Sequence, residues 1–221
     1  MDGRKGIFVT FEGVDGAGKS TQVTGLVRRL RKAGVEVVSL REPGGTPIGE
    51  QIRAVLLDPA NGDMADECEL LLMNASRAQL VRQRVEPALA RDAVVICDRF
   101  LDSTFAYQHG GRGIDEETTR SCNLLGSCGV VPDLTLVLDL EPQVGLGRAT
   151  RRRADRLEAE GVGFQARVRE GYLTLARLEP GRVRLVDADD DPAVVASRVD
   201  SLLCAAFPRL RRVLAPARDG A

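Results

Sequence analysis

GIFVTFEGVDGAGKS, Gly6–Ser20, joins a short β-branched and aromatic run to a glycine-rich turn and then to a helical pattern. The run reads as a strand by length and residue type. It is too brief for the core of a signal peptide or for a membrane span. The turn, Gly13–Ser20, fits G-x-x-x-x-G-K-[ST] at every fixed position, with a strand before it and a helix after it. That layout serves phosphate chemistry. Glycines let successive backbone N–H groups turn inward on a β-phosphate, and the helix behind them adds its positive end. Lys19 is expected to bridge β- and γ-phosphates, and the Ser20 hydroxyl to face Mg²⁺. Gly13, Val14, Asp15, Gly16, Ala17, Gly18, Lys19, Ser20 and Thr21 are therefore the candidate triphosphate residues. The alternative is a strand-to-helix turn with an incidental Lys-Ser, and the context on both sides weighs against it. The motif alone names a triphosphate site, not a reaction.

Working outward, further strands are expected at Val35–Leu40, Ala93–Asp98, Leu134–Leu140 and Val183–Asp187. The third and fourth of the five alternate little, as when helices cover both faces of a parallel sheet. Helical patterns lie at Lys19–Ala33, Cys68–Leu89 and Pro192–Cys204, with Pro87 expected to kink or break the second. The spacing predicts an α/β fold, a five-stranded parallel sheet flanked by helices on both faces. In such sheets ligands bind beyond the carboxyl ends of the strands. Glu12, Arg41-Glu42 and Asp98-Arg99 are delivered there. One domain over residues 1–208 is expected, with a basic, solvated or frayed tail at 209–221.

The chain has 221 residues, a formal net charge of -1 and 43% hydrophobic residues. That supports a sizeable core and argues against a general nucleic-acid coat protein. Five cysteines without a Cys-x-x-Cys pair give little support to disulfides or zinc. These are cytoplasmic habits, and Cys97 reads as a small buried hydrophobe. No Asn-Lys-x-Asp guanine reader is present, which counts against a GTPase. A second set of cationic groups is present instead: Arg41, Arg53, Arg77 and Arg99, and the run Arg148, Arg151, Arg152, Arg153 and Arg156.

FEGVDGAGKST (Phe11–Thr21), REPGGTPIGEQIR (Arg41–Arg53), ASRAQLV (Ala75–Val81), DRFLDSTFAYQHGGRG (Asp98–Gly113) and PDLTLVLDL (Pro132–Leu140) occur in this order. On these blocks the chain resembles the bacterial-type thymidylate kinases, from about Gly6 to about Asp187. The resemblance implies the phosphate-loop kinase fold, transfer of a phosphoryl group from ATP to thymidine monophosphate (dTMP) with Mg²⁺, and a homodimer through the helices around Cys68–Leu89 and Asp115–Leu125. It implies no nucleic-acid or membrane partner. Arg99 matches the arginine that grips the acceptor phosphate. Asp98 matches the acid near the metal, beside Ser20. Asp15 resembles the carboxylate that holds Arg99 and the sugar 3'-hydroxyl. Glu42, Pro43, Arg53, Met73, Arg77, Ser103, Thr104, Tyr107 and Gln108 fall on acceptor-site positions, Arg53 toward phosphate, Arg77 toward a base carbonyl, Thr104 and Gln108 along the base edge. The attacking phosphate oxygen is already ionised, so no general base is needed, and catalysis is positioning and charge neutralisation.

Some alternatives stay open at this level. Arg53 and Arg77 could be solvated helix arginines, Asp15 a tolerated loop aspartate, and Tyr107 a core aromatic rather than a floor under the sugar. No x residue of the phosphate loop is basic, so by resemblance the catalytic cation is expected from an Arg-rich lid at about 145–160: Arg151, Arg152 or Arg153. Met73 stands where related chains commonly have Phe, which leaves room for looser base selection or another deoxynucleotide. His109, the only histidine, reads as an exposed turn residue. A nucleotide-binding regulator without catalysis is the reading from another class, and intact Lys19, Ser20 and Arg99 speak against it.

Overall fold

A computed structural model describes residues 6–149 and 155–214. Five strands, β1 (Ile7–Glu12), β2 (Val37–Arg41), β3 (Val94–Asp98), β4 (Leu134–Asp139) and β5 (Val183–Asp187), form one parallel sheet in the order β2-β3-β1-β4-β5. The central strands β1, β3 and β4 are buried almost throughout, which is why their sequences scarcely alternate. Side chains nevertheless alternate between faces. Ile7, Val9 and Phe11 enter one core, while Phe8 enters the other with Val95, Cys97 and Phe100.

The helices are α1 (Lys19–Lys32), α2 (Pro47–Leu57), α3 (Asp66–Leu80), α4 (Glu86–Ala90), α5 (Leu101–Thr104), α6 (Glu116–Gly126), α7 (Pro142–Ala149), α8 (Gly161–Leu178), α9 (Pro192–Ala206) and α10 (Arg211–Leu214). On one face α1, α8 and α9 pack Leu26, Leu30, Val168, Leu175 and Val199 against the sheet. On the other lies the end of α3 with Val81–Val85 and α4. The long helical pattern predicted over Cys68–Leu89 is thus three pieces, with a π-helical turn at Val81–Val85. Pro87 has no N–H to donate to the preceding turn, so the helical ladder is rearranged just before it.

The packed chain also runs past the boundary expected at 208. Leu210 and Leu214 are buried beside α1 and α9 and join the core, while Arg209, Arg211 and Arg212 between them stay exposed. Apolar residues within the arginine-rich tail carry this packing. Among the described residues, no helix is long and apolar enough to cross a membrane.

α5 begins three residues past β3 and carries part of the site, so its anchoring matters. Asp102 on α5 is fully buried and accepts hydrogen bonds from Thr135 Oγ1 at 2.7 Å and from Arg182 Nη1 and Nη2 at 2.7 and 2.8 Å. Thr135 in turn shares a 2.8 Å hydrogen bond with Thr10 on β1. Removing one partner of a buried pair strands the other. Asp102→Ala is expected to lower the unfolding free energy by about 3 kcal/mol, read from the midpoint of a urea titration at unchanged slope.

Candidate active site

At the end of β1 the chain turns through Gly13–Gly18 into α1. Gly16 (φ 77°) and Gly18 (φ 89°) take left-handed backbone conformations that L side chains rarely adopt. Gly16 also lies against the backbone of Gly145 on α7, where a Cβ would overlap the carbonyl. Lys19 is buried, and its Nζ donates to the carbonyls of Gly13 and Val14 at 2.9 and 2.8 Å, closing the loop. Burial, then the repulsion of Arg99, pulls the ammonium down to about 8 against the attraction of Asp15, Asp98 and Glu12. Ser20 Oγ donates to Asp98 Oδ2 at 2.7 Å, so a hydroxyl and a carboxylate from two elements meet at the loop's edge. Thr21 follows, exposed, on the first turn of α1.

Arg99 follows β3 with φ 71°, a left-handed conformation unusual for a bulky residue. Its N–H donates to Phe11 O at 2.9 Å, which stitches the ends of β3 and β1. The guanidinium thereby reaches the phosphate loop. Nη2 donates to Asp15 Oδ1 at 2.6 Å and to the Tyr107 hydroxyl at 2.9 Å, and Nη1 to Ser103 Oγ and the Tyr172 hydroxyl, both at 3.3 Å. It also lies over the Tyr107 ring, 4.8 Å from the centroid. Burial alone would raise the Asp15 carboxyl, but Arg99 and Lys19 hold it below the ordinary range.

Beneath Arg99, Glu12 is wholly buried. It accepts from Ser103 Oγ at 2.5 Å, from the Tyr172 hydroxyl at 2.7 Å and from the Phe100 N–H at 2.7 Å. Burial, helped by the negative charge of Asp102, pushes its pKa up to about 7, with Arg99, Ser103 and Tyr172 opposing.

The loop and Arg99 border one cavity of about 1000 Å³, and Glu42, Pro43, Arg53, Met73, Arg77, Ser103, Thr104, Tyr107 and Gln108 line it too. Its far end is formed by Arg148, Asp190, Pro192 and Val195. Arg77 is no solvated helix arginine. It is 1% exposed, and its five N–H groups donate to Glu42 Oε2, Asn74 Oδ1, Asn123 Oδ1, Phe100 O and Thr104 Oγ1 at 2.8–3.2 Å. Glu42 Oε1 is buried, with no hydrogen-bond partner among the described residues. Arg53 Nη1 donates to Pro43 O at 2.9 Å, after a cis Glu42–Pro43 peptide. Tyr107 combines its two readings, a buried ring whose hydroxyl reaches Arg99.

Three arginines with cationic roles in view are already paired. Arg41 binds Glu50 through both carboxylate oxygens, Arg148 binds Asp189, and buried Arg156 binds Glu69. Arg156 is therefore already engaged, its guanidinium spent on a buried carboxylate. Arg151, Arg152 and Arg153 lie outside the described residues. His109 is half-buried within the π-helical segment Phe105–Gly111, and its Nδ1 lies 2.7 Å from Ile114 O, so it braces the chain rather than facing solvent.

The family model for "Thymidylate kinase" matches residues 11–199. The chain belongs to the thymidylate kinase family. It is 50% identical over 200 residues to the thymidylate kinase of Trichlorobacter lovleyi, covering 87% of this chain and 94% of the relative. It is also 50% identical over 207 residues to that of Pseudomonas entomophila, covering 93% and 99%. The crystal structure of thymidylate kinase from Ehrlichia chaffeensis superposes with a TM-score of 0.74 at 34% identity, covering 90% of this chain and 98% of that one.

Several groups around this thymidylate kinase site carry no motif. Glu69, Asn74, Asn123, Gln165 and Tyr172 touch Gln108, Arg77, Asp15 or Arg99, and all but Asn74, one turn before Arg77 on α3, reach a partner distant in sequence. The usable signal is a polar residue turned inward on a helix whose buried side also carries leucines, as Glu69 and Asn74 are on α3 with Leu70 and Leu80.

Glu12 supplies a test of this electrostatic picture. Its pKa rises from 4.5 unfolded to about 7 folded, so the folded state binds the proton more tightly. The resulting stabilisation is fully present below the unfolded value and is lost as pH rises through the folded one. Glu12→Gln, which cannot titrate, should therefore show a larger stability deficit near pH ~5 than near pH ~8, in urea titrations run beside the native chain.

Proposed function

We propose that the cavity holds ATP and dTMP end to end, with the transferred phosphoryl group between the phosphate loop and Arg99. As a thymidylate kinase the chain is an ATP:dTMP phosphotransferase, producing dTDP and ADP. The observation that carries the proposed arrangement is the 2.6 Å Arg99–Asp15 contact inside a single cavity. It supports the reading because Arg99, assigned here to the acceptor phosphate, touches the loop assigned to the donor. Backbone N–H groups of Gly13, Val14, Asp15, Gly16, Ala17 and Gly18, with Lys19, Ser20 and Thr21, cradle the triphosphate. Lys19 leaves its two carbonyl partners for the β- and γ-oxygens. Arg99, with Arg53, takes the acceptor phosphate, whose oxygen attacks without a base because it is already ionised. Asp15 aligns Arg99 and the sugar 3'-hydroxyl.

The acceptor base lies among Met73, Arg77, Thr104 and Gln108, with Tyr107 under the sugar and Glu42 and Pro43 closing the side. Ser20 and Asp98 would hold Mg²⁺. Two hard oxygen donors in contact suit a cation that completes its shell with water and phosphate. When bound, it neutralises charge on the transferring phosphates. The lid is assigned to about 145–160, where Arg151, Arg152 and Arg153 supply a cation to the γ-phosphoryl group. Support comes from both flanks: Gly145 abuts the phosphate loop, and Asp155 and Glu158 border the cavity.

Lys19→Ala should reduce dTMP phosphorylation by about 10²–10³-fold in a coupled ADP-release assay. Arg99→Ala should raise KM for dTMP more than KM for ATP. Unchanged turnover in either variant would move the chemistry elsewhere. In the same assay the native chain should prefer dTMP over dUMP and dCMP and leave thymidine untouched, because the site is built around an acceptor phosphate.

A homodimer is proposed through α3 and α6. These helices meet at Arg77 and Asn123 and leave Leu71, Leu124 and Leu125 exposed at 61%, 67% and 81%. Sedimentation should give twice the chain mass, and Leu125→Glu should shift the population to monomer.

A further inference from the structure

Glu69 on α3 is a fully buried carboxylate outside every motif of the phosphate-loop site. Its Oε1 accepts from Gln108 Nε2 at 2.8 Å and from Arg112 Nε at 3.3 Å. Its Oε2 accepts from Arg112 Nη2 at 3.0 Å and Arg156 Nη2 at 2.5 Å. Burial alone would raise its pKa, but the hydrogen bonds of Arg112, Gln108 and Arg156 bring it below the ordinary range. It is therefore an acceptor only at neutral pH.

That fixes a choice a glutamine otherwise leaves free. The Gln108 amide can present either NH₂ or C=O to a neighbour, but a carboxylate flanked by two arginines receives only the NH₂. Gln108 is 1% exposed. Among the described residues its Oε1 receives no hydrogen bond, and Gln108 is one of the residues that line the cavity. Met73 and Thr104 line the same cavity, so an acceptor without a partner is available beside them.

We propose that Glu69 is a positioning residue for base selection: it pins the Gln108 amide with its oxygen in the cavity, so the pocket takes a base with a ring N–H and turns away one with a ring lone pair. Thymine carries N3–H, whereas cytosine carries an N3 acceptor. With cytosine two acceptors would face each other at a buried side chain, and the amide could not rotate without breaking its bond to Glu69. This rests on the reading that the acceptor base lies beside Gln108.

The test is the ratio of kcat/KM for dTMP to kcat/KM for dCMP. A purely structural defect lowers both numbers together and leaves the ratio alone. Glu69→Gln, which can donate as well as accept, frees the amide to turn. It should lower the ratio by about ten-fold or more, the scale of one mispaired buried group, mainly through KM. Gln108→Leu should lower it as well, and adding Glu69→Gln to Gln108→Leu should lower it no further. A ratio within about two-fold of native in Glu69→Gln, or a further fall in the double variant, overturns the proposal. Should Glu69→Gln not fold, crystals of the native chain with dTMP decide: Oε1 of Gln108 must lie on N3 with Nε2 retained on Glu69, and an amide that has left Glu69 overturns it. If the native chain phosphorylates dTMP but the ratio does not move, only this inference falls. If it phosphorylates neither nucleotide, the functional reading falls with it.

Discussion

A guanidinium placed against a glycine loop is the constraint around which this molecule is organised. Arg99 occupies a left-handed backbone position at the end of β3, and its N–H bonds the carbonyl of Phe11 at the end of β1. Because β1 and β3 are direct neighbours in the sheet, one residue's backbone joins the two strand ends while its side chain crosses to Asp15. Strain of this kind persists only where the surroundings fix it. Ser103, Tyr107, Tyr172 and Asp15 supply that fixing from the phosphate loop, α5 with its π-helical continuation, and α8.

Below this contact the site stands on buried charge. Glu12, Asp102 and Glu42 lie at or near full burial, each tied to hydroxyls, amides or an arginine. Burying carboxylates is expensive and seldom a route to stability. What these contacts achieve is aim: Glu12 holds Ser103 and Tyr172 beneath Arg99, and Glu42 holds Arg77 beside the base pocket. The apolar faces that fold the sheet supply the free energy, and the polar clusters set the direction of a few side chains.

Legibility from sequence followed the range over which each signal acts. The five strands and the phosphate loop were readable because a β-branched run, a glycine turn and an amphipathic helix are local patterns. The joining of Asp15 to Arg99, 84 positions apart, was readable only through a block matching a known family, since nothing local links them. Arg77 shows the limit. Its place on a helix was plain, but its burial depends on Glu42 and Asn123 arriving from two other parts of the fold, with Asn74 one turn away on the same helix. Arg156 shows the opposite error. A run of arginines looks uniform in sequence, yet one of them turns inward because Glu69 waits there. The break in the long α3 pattern was signalled by Pro87, though its form, a π-helical turn, was not.

The complete engagement of Arg77 also bears on inhibitor chemistry. Every N–H of that guanidinium is already donated within the protein, so it is preorganised and loses no rotamer freedom when a ligand arrives. A base carbonyl that takes a hydrogen bond from Arg77 shares an N–H already donated within the protein, so the net gain is smaller than from a donor without a partner. Stacking on the Met73 side of the pocket, where the thioether is adaptable and no polar partner must be given up, is the richer direction for tight binders.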